Sequence, residues 1–187
     1  MKRFLTPTYI ILAIVAVLII WVWTGYNGLV SSKAAVEGSW AQVETQYQRR
    51  IDLVPNLVST VKGAAKFEQE TFTAITTARS QWQSAGSRDE KITAASGFDS
   101  ALSRLLVTVE AYPQLQATQA FRDLMTQLEG TENRIATARR DYNGAVQSYN
   151  VLVRRFPRNI LAGLFGFGPE KLFASDAGAD KAPAVQF

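Results

Sequence analysis

The N-terminal part of the chain contains a long run without charge, from Phe4 to Ser32, whose centre from Tyr9 to Trp23 is almost wholly apolar. About 20 such residues in a helix cross the roughly 30 Å hydrocarbon layer of a bilayer. The aromatic residues at the end of this run suit the membrane interface: Trp21, Trp23 and Tyr26. The run ends on bulky Trp-Val-Trp rather than on small residues suited to signal cleavage, so we expect residues 1–30 to be an uncleaved, single-pass membrane anchor.

Charges beside the apolar run set the expected orientation of the anchor. Lys2 and Arg3 precede the run, whereas Lys33 and Glu37 cancel each other after it. Because positive residues favour the cytoplasmic face of a membrane, we expect the N-terminus to lie in the cytoplasm. The rest of the chain would then lie on the extracytoplasmic side of the cell (inner) membrane.

Cysteine and histidine are both absent from the 187 residues. Their absence excludes thiol and imidazole nucleophiles, Cys/His zinc sites and disulfides. Only carboxylates remain as metal ligands, with Glu110, Glu129 and Glu132 as candidates, but carboxylates on long helices are more often solvated or paired with arginine. We predict no catalytic residue, no cofactor and no metal site.

Two further features give only weak functional signals. Ser59 and Lys62 fit the S-x-x-K spacing, in which a lysine activates a serine, but the companion S-D-N and K-T-G motifs are missing. The net charge of +4 comes mostly from lysines and arginines that alternate with acids. Such interleaving is typical of solvated helix faces, so we expect no nucleic-acid partner.

Apolar residues recur at helical spacing between Ser31 and Phe156, and strand-like alternation is missing. The longest pattern steps by three and four residues without a slip: Phe121, Leu124, Leu128, Thr131, Ile135, Ala138, Tyr142, Ala145, Tyr149, Leu152 and Phe156. We therefore predict an all-α chain in which residues 31–156 form an antiparallel up-and-down four-helix bundle of long helices. In such a bundle the tyrosines of the repeated phrases YNGLV and YNVLV, Tyr26 and Tyr149, would lie near each other at the membrane-proximal end.

Three helix-breaking segments separate the predicted helices. Pro55 should kink or end the first helix, because proline removes a backbone donor and clashes with the preceding turn. Residues 84–90 form a predicted turn, with Ser87 as N-cap and Glu90 at the capping-box spacing. Tyr112–Gln114 turns the third helix into the fourth, whereas the unbroken apolar register favours a continuous helix across Gly130.

Four stretches of the chain carry a family resemblance: RRIDLVPNLV, EAYPQLQATQAF, LEGTENRIATARRDYN and YNVLVRRFPRNILAGLFGF. Together they resemble the LemA family of bacterial membrane proteins over nearly the whole chain. The resemblance implies a transmembrane helix followed by a helical bundle, but it supplies no reaction. The signature residues it assigns here are Arg49, Arg50, Asp52, Pro55, Asn56, Glu129, Thr131, Glu132, Asn133, Arg134, Arg139, Arg140, Tyr142 and Asn143. We expect them to form a structural network; Phe67 departs from the family, which often has histidine before Glu68.

These features favour a membrane-anchored, non-enzymatic helical-bundle protein that acts as a scaffold or self-assembling subunit at the cell membrane. The alternative is a ligand or cation sensor that uses polar residues within the bundle. Gly28 and Ser32 have the small-x-x-x-small spacing that lets transmembrane helices approach closely. We expect a homo-oligomer, with other membrane proteins as further candidate partners.

Residues 157–187 form an apolar, glycine-rich segment that is followed by a small, polar tail. Six basic and apolar residues near its start form a candidate membrane-interface tail: Arg154, Arg155, Phe156, Arg158, Phe165 and Phe167. Two interpretations stay open, because such residues dock on anionic membrane lipid or pack on the bundle or a neighbouring subunit. Beyond Phe173, small and polar residues predict a flexible end.

Overall fold

The computed structural model describes residues 7–62 and 69–173, and within these ranges all regular structure is helical. The helices are α1 Pro7–Lys62, α2 Gln69–Ser84, α3 Arg88–Glu110, α4 Pro113–Gln116, α5 Gln119–Arg154 and α6 Arg158–Phe165. The predicted all-α class is therefore confirmed. The departure at Phe67 and the predicted flexible end beyond Phe173 lie outside the described residues.

Helix α1 contains 56 residues and begins with the apolar run. Of the helices in the described ranges, it is the one long and apolar enough to cross a membrane, and the side chains of its apolar stretch are mostly exposed. Pro55 was expected to kink or end the helix; the helix does not end there but continues to Lys62. Pro55 itself is exposed, while Ile51, Val54 and Leu57 around it are buried. Packing of this apolar face stabilises the helix across the missing backbone bond.

The turn between α2 and α3 has the predicted capping box. The Ser87 hydroxyl accepts a hydrogen bond from the Glu90 backbone N–H at 3.2 Å. In return, the Glu90 carboxylate accepts from the backbone N–H groups of Ser87 and Gly86, at 3.1 and 2.8 Å. These backbone donors hold the pKa of Glu90 below its ordinary value.

Helix α5 runs without interruption through Gly130, as its apolar register predicted. The predicted seam is buried from Phe121 to Tyr142 and again at Tyr149, but Val146 and Val153 are buried in place of Ala145 and Leu152, which are half-buried. A seam that repeats every 3.5 residues drifts around a straight helix with 3.6 residues per turn. At Val146 and Val153 the buried side chain is therefore one residue later than predicted. Phe156, the last predicted seam residue, lies beyond the end of α5 and is 76% exposed, so its assignment to the core was wrong.

The chain divides into two compact units. Unit 1 comprises Met1–Trp40 and Asp141–Leu172, and unit 2 comprises Ala41–Arg140 and Phe173–Phe187. In unit 1 the rings of Trp40 and Tyr142 meet edge to face at 5.4 Å between centroids. In unit 2 helix α2 packs along α3, and their buried residues include Ile75, Trp82 and Phe98.

Candidate functional site

Five polar side chains from three helices meet inside unit 2 and form what we call the polar cluster: Tyr47, Arg50, Asp99, Glu132 and Arg139. Helix α1 presents Tyr47 and Arg50 one turn apart on one face. Helix α3 contributes Asp99, and α5 contributes Glu132 and Arg139, two turns apart. Tyr47 and Arg50 are buried, Asp99 and Arg139 are half-buried, and Glu132 is exposed, so the cluster extends from the packed helices to the surface of unit 2.

Asp99 is the centre of the polar cluster. One of its carboxylate oxygens accepts from the Tyr47 hydroxyl at 2.8 Å, and the other accepts from Nη1 of Arg50 at 3.1 Å. Nη2 of Arg139 donates to both the Asp99 carboxylate and the Tyr47 hydroxyl. Nη1 of Arg50 also lies 2.5 Å from the carboxylate of Glu132. Two cations therefore face two carboxylates, so the charges inside the cluster are balanced.

Aromatic rings enclose one side of the polar cluster. The Tyr47 ring stacks on Trp82 with 4.8 Å between centroids and lies nearly parallel to Phe173, at 6.4 Å. The Arg139 guanidinium lies 5.2 Å from the Tyr47 ring centroid and 5.0 Å from that of Phe173. Cation–π contacts of this kind strengthen when water is excluded. Phe173 is itself buried, so its ring screens these ion pairs from solvent.

The polar cluster joins three helices through side-chain contacts. Both oxygens of Asp99 accept hydrogen bonds from arginine or tyrosine, so its carboxylate connects α3 to both α1 and α5. Removing one member of such a network is strongly destabilising, because the remaining charges stay buried without compensation. The polar cluster therefore defines which side chains of α1, α3 and α5 lie opposite one another.

The family signature residues divide into a group that belongs to the polar cluster or is at least half-buried and a group at the surface; Glu132 belongs to the cluster although its side chain is 53% exposed. Arg50, Glu132 and Arg139 belong to the polar cluster, and Thr131 is buried with its hydroxyl donating to the Leu128 carbonyl at 2.8 Å. Tyr142 is buried and Asn143 is half-buried. The exposed ones are Arg49, Asp52, Pro55, Asn56, Glu129, Asn133, Arg134 and Arg140.

Sequence reasoning did not identify Asp99 as a site residue, and it placed Tyr47 only in an apolar stripe. One signal was available for Asp99. It is the only acid between Glu90 and Glu110, and it directly follows Phe98 of the apolar stripe on α3. A lone carboxylate at the edge of a buried face needs a charged or hydrogen-bonding partner, which here comes from α1 and α5.

Two Tyr-Asn pairs on α5 contact the extended segment that follows α6. The Tyr142 hydroxyl donates to the Lys171 carbonyl at 2.8 Å. The Asn150 amide forms two backbone bonds to Glu170, donating to its carbonyl and accepting from its N–H, both at 2.8 Å. Side chains that satisfy both backbone groups of one residue hold an extended segment without requiring a particular side chain on it. The Tyr-Asn pairs thus fix the return of the chain along α5.

Tyr149, which belongs to the second pair, differs from Tyr142. Its ring is fully buried, and its hydroxyl has no hydrogen-bond partner within the described residues. Burial raises the pKa of the Tyr149 phenol, and the negative charge of Glu170 adds to this rise.

The weak catalytic and metal signals in the sequence do not converge. The Ser59 hydroxyl donates to the Asn56 carbonyl at 2.9 Å, and the Lys62 ammonium lies over the Phe72 ring at 5.2 Å. Glu132 pairs with Arg50, whereas Glu110 and Glu129 line a separate groove together with Arg122. Within the described ranges no group of three carboxylates is placed to hold a metal ion.

Comparison with known proteins gives a consistent family assignment. The family model described as the LemA family matches residues 39–187. Magnetosome protein MamQ 2 of Paramagnetospirillum magneticum is 30% identical over 181 residues, and Magnetosome protein MamQ of Magnetospirillum gryphiswaldense is 28% identical over the same length. Each alignment covers 83% of this chain and 66% of the relative, so the chain spans just under two thirds of those proteins.

A more distant relative carries the family's own name. Protein LemA of Metamycoplasma hominis is 24% identical over 137 residues, which cover 73% of this chain and 63% of that protein. The family model covers the polar cluster, the Tyr-Asn pairs and α6 together. From the family model, which matches well over half of the sequence, we conclude that the chain belongs to the LemA family.

Proposed function

We propose that this protein is a membrane-anchored, non-enzymatic helical bundle that acts as a scaffold or self-assembling subunit at the cell membrane. The observation that carries the proposal is the composition of α1. One continuous helix contains an apolar stretch able to cross a bilayer and, further along, the cluster residues Tyr47 and Arg50. Three polar residues of the family signature, Arg50, Glu132 and Arg139, bind side chains on other helices of the same chain, which favours a structural role for them over chemistry.

The order of contacts in unit 2 supports an up-and-down four-helix bundle. From α1 to α3, Glu44 pairs with Lys91 and Arg50 pairs with Asp99, so residue numbers rise together. From α1 to α5 the order reverses, because Tyr47 meets Arg139 while Arg50 meets Glu132. Parallel first and third helices and an antiparallel fourth are the pattern of an up-and-down bundle.

Self-assembly through the anchor is supported by two glycines of α1 with different surroundings. A Cβ atom added to Gly25 would lie 2.5 Å from Cδ1 of Leu161, so this glycine permits a contact within the chain. A Cβ atom at Gly28 would meet nothing within 4 Å. The helix face at Gly28 is thus open for a second copy, and small residues let transmembrane helices approach closely.

The test is the oligomeric state of the full chain in mild detergent, measured by light scattering. We expect a homo-oligomer, and we expect Gly28→Leu to shift it toward the monomer. Gly38→Leu is the matched control, since Gly38 lies on the same helix beyond the apolar run and also has no neighbour within 4 Å. A strictly monomeric wild-type protein at micromolar concentration would contradict self-assembly through the anchor.

A further inference from the structure

Helix α6 is packed on α1 directly after the apolar stretch. Leu161 and Ala162 of α6 are buried, and Leu161 fills the space that Gly25 leaves open. Near the end of α6, the rings of Phe165 and Phe167 meet Tyr26 edge to face, with centroids 4.9 and 5.8 Å apart. These contacts place α6 at the level of α1 where the membrane interface is expected, because aromatic residues concentrate there.

The opposite face of α6 is apolar and exposed. Phe156, Ile160 and Leu164 are 76%, 57% and 74% exposed, and they follow one another at four-residue spacing. Ile160 and Leu164 lie in α6, where this spacing places their side chains on one face, and Phe156 lies two residues before the helix begins at Arg158. The row is separate from the buried residues that pack on α1. Large apolar side chains in a continuous exposed row mark an interaction surface.

The positive charges near these exposed apolar residues favour a lipid surface over other binding partners. Arg154, Arg155 and Arg158 are exposed at its N-terminal end. No acidic residue occurs between Asp141 and Glu170, so these arginines have no acidic neighbour along the chain. Lys33 of α1 adds a further cation beside the Phe167 ring, at 5.9 Å from its centroid. Cations next to a membrane anchor bind the anionic headgroups of phospholipids.

A groove beside α6 continues the apolar surface along α1. It has a volume of about 500 Å³ and is lined by Val15, Leu18, Ile19, Val22, Trp23, Tyr26 and Phe165. Phe165 is the lining residue that comes from α6, and the other lining residues belong to the apolar run of α1. In a membrane, lipid acyl chains would surround such a groove.

We propose that α6 is an interfacial helix that binds anionic phospholipid. Its row of Phe156, Ile160 and Leu164 inserts among acyl chains, and the three arginines bind headgroup phosphates. This inference rests on the proposed function, because it requires α1 to be in the membrane. It goes further by making α6 a second membrane contact, selective for lipid charge, at the point where α1 leaves the bilayer. An amphipathic segment of this kind lies in the interface without spanning it.

The experiment uses the full chain in liposomes and exploits the absence of cysteine. A single cysteine carrying an environment-sensitive dye is placed at Leu164, at Leu18 in the anchor, or at Val107, which is 65% exposed in unit 2. Lipids carrying a quencher on the acyl chain then report which dyes lie in the bilayer. We expect quenching at Leu164 and Leu18, and none at Val107.

Lipid charge provides the second arm. Replacing part of the phosphatidylcholine with phosphatidylglycerol should increase quenching at Leu164, and added salt should reverse the increase, since exposed charges are screened. Arg154→Gln/Arg155→Gln/Arg158→Gln should abolish the dependence on phosphatidylglycerol and leave quenching at Leu18 unchanged. Circular dichroism of this variant and of the dye-bearing variants shows whether each keeps its helices.

The possible outcomes separate the two proposals. If the dye at Leu18 is quenched and that at Leu164 is not, the interfacial role of α6 is wrong while the anchor stands. A Leu164 dye that is shielded only at high protein-to-lipid ratio, without quenching, would assign the row to a second copy instead. If the dye at Leu18 is not quenched, both the anchor and the inference fail.

Discussion

At the scale of single residues, the Tyr149 hydroxyl stands out because it is buried and has no hydrogen-bond partner within the described part of the chain. A buried hydroxyl without a partner costs about 1–3 kcal/mol. Tyr149→Phe should therefore raise the free energy of unfolding by about 1 kcal/mol. Tyr142→Phe should lower it by a similar amount, because the Tyr142 hydroxyl donates to the Lys171 carbonyl. Thermal or denaturant unfolding in detergent measures both, and equal losses would show that Tyr149 has a partner.

The same hydroxyl gives a dependence on pH with a defined sign. Burial raises the pKa of Tyr149 in the folded state above its unfolded value, which is about 10. The folded state therefore holds this proton more tightly, and its contribution to stability is complete below the unfolded pKa. That contribution is lost as pH rises through the folded pKa. The free energy of unfolding of Tyr149→Phe should fall less at alkaline pH than that of the wild-type protein. Parallel curves of unfolding free energy against pH would show that Tyr149 does not cause this dependence.

Asp99 is the residue on which the polar cluster depends most. Asp99→Asn keeps the side-chain shape but removes the negative charge between Arg50 and Arg139. Breaking a buried ion-pair network leaves uncompensated charge, so we expect a loss of about 3 kcal/mol. Asp123→Asn, at an exposed position on α5, should change stability by less than about 0.5 kcal/mol. Equal effects of the two substitutions in denaturant unfolding would rule out a stabilising role for the polar cluster.

The sequence alone identified part of the polar cluster. Arg50, Glu132 and Arg139 were identified through the family motifs, because each motif is continuous in the sequence. Their partner Asp99 is 49 residues from Arg50 and 40 from Arg139, and no periodicity connects positions so far apart. Tyr47 was assigned to an apolar stripe, which describes its ring and not its hydroxyl. Contacts between helices therefore required the structure.

At the scale of secondary structure, local signals were the most reliable. The capping box at Ser87 and the continuous α5 across Gly130 both depend on residues within a few positions of each other. Of the two effects expected at Pro55, a kink or a helix end, the end does not occur, because the buried face formed by Ile51, Val54 and Leu57 outweighs the local cost of proline. Helix α6 was not predicted as a helix, since its glycines and the arginine cluster before it resemble a loop. Its packing on Gly25 supplies the stabilisation that local propensity lacks.

The capping box allows a prediction for one element alone. Ser87→Ala should destabilise the protein by about 1 kcal/mol, because the first turn of α3 loses its side-chain acceptor. The backbone hydrogen bonds from Gly86 and Ser87 hold the pKa of Glu90 below its ordinary value. Its contribution to stability is therefore present above the unfolded pKa and is lost as pH falls through the folded pKa.

Glu90→Gln should flatten this acid-side dependence while leaving the alkaline side unchanged. Chemical denaturation from neutral pH to below the folded pKa of Glu90 measures the effect. Glu70→Gln is the control, because Glu70 is an exposed glutamate in the first turn of α2, far along the chain from the Ser87 cap. If both variants have the wild-type pH profile, the capping box does not set the acid dependence.

At the scale of the whole molecule, the membrane relation of the chain can be tested directly. Hydropathy identified the apolar run because insertion depends on composition over about 20 residues. Orientation depends instead on a few flanking charges, here Lys2 and Arg3 before the run and the cancelling pair Lys33 and Glu37 after it. Charge asymmetry of this kind favours the N-terminus in the cytoplasm and the helical bundle outside it.

Single cysteines at positions on either side of the run decide the orientation, because the native chain has none. We expect Gln83→Cys, at an exposed position near the end of α2, to react with a membrane-impermeant maleimide added to intact cells. Thr6→Cys should react only after the membrane is permeabilised. Gln83 lies outside the cap of α3, so a cysteine at this position leaves the Ser87 cap intact. The reverse labelling pattern would place the bundle in the cytoplasm, and α6 would then face the anionic lipids of the cytoplasmic leaflet.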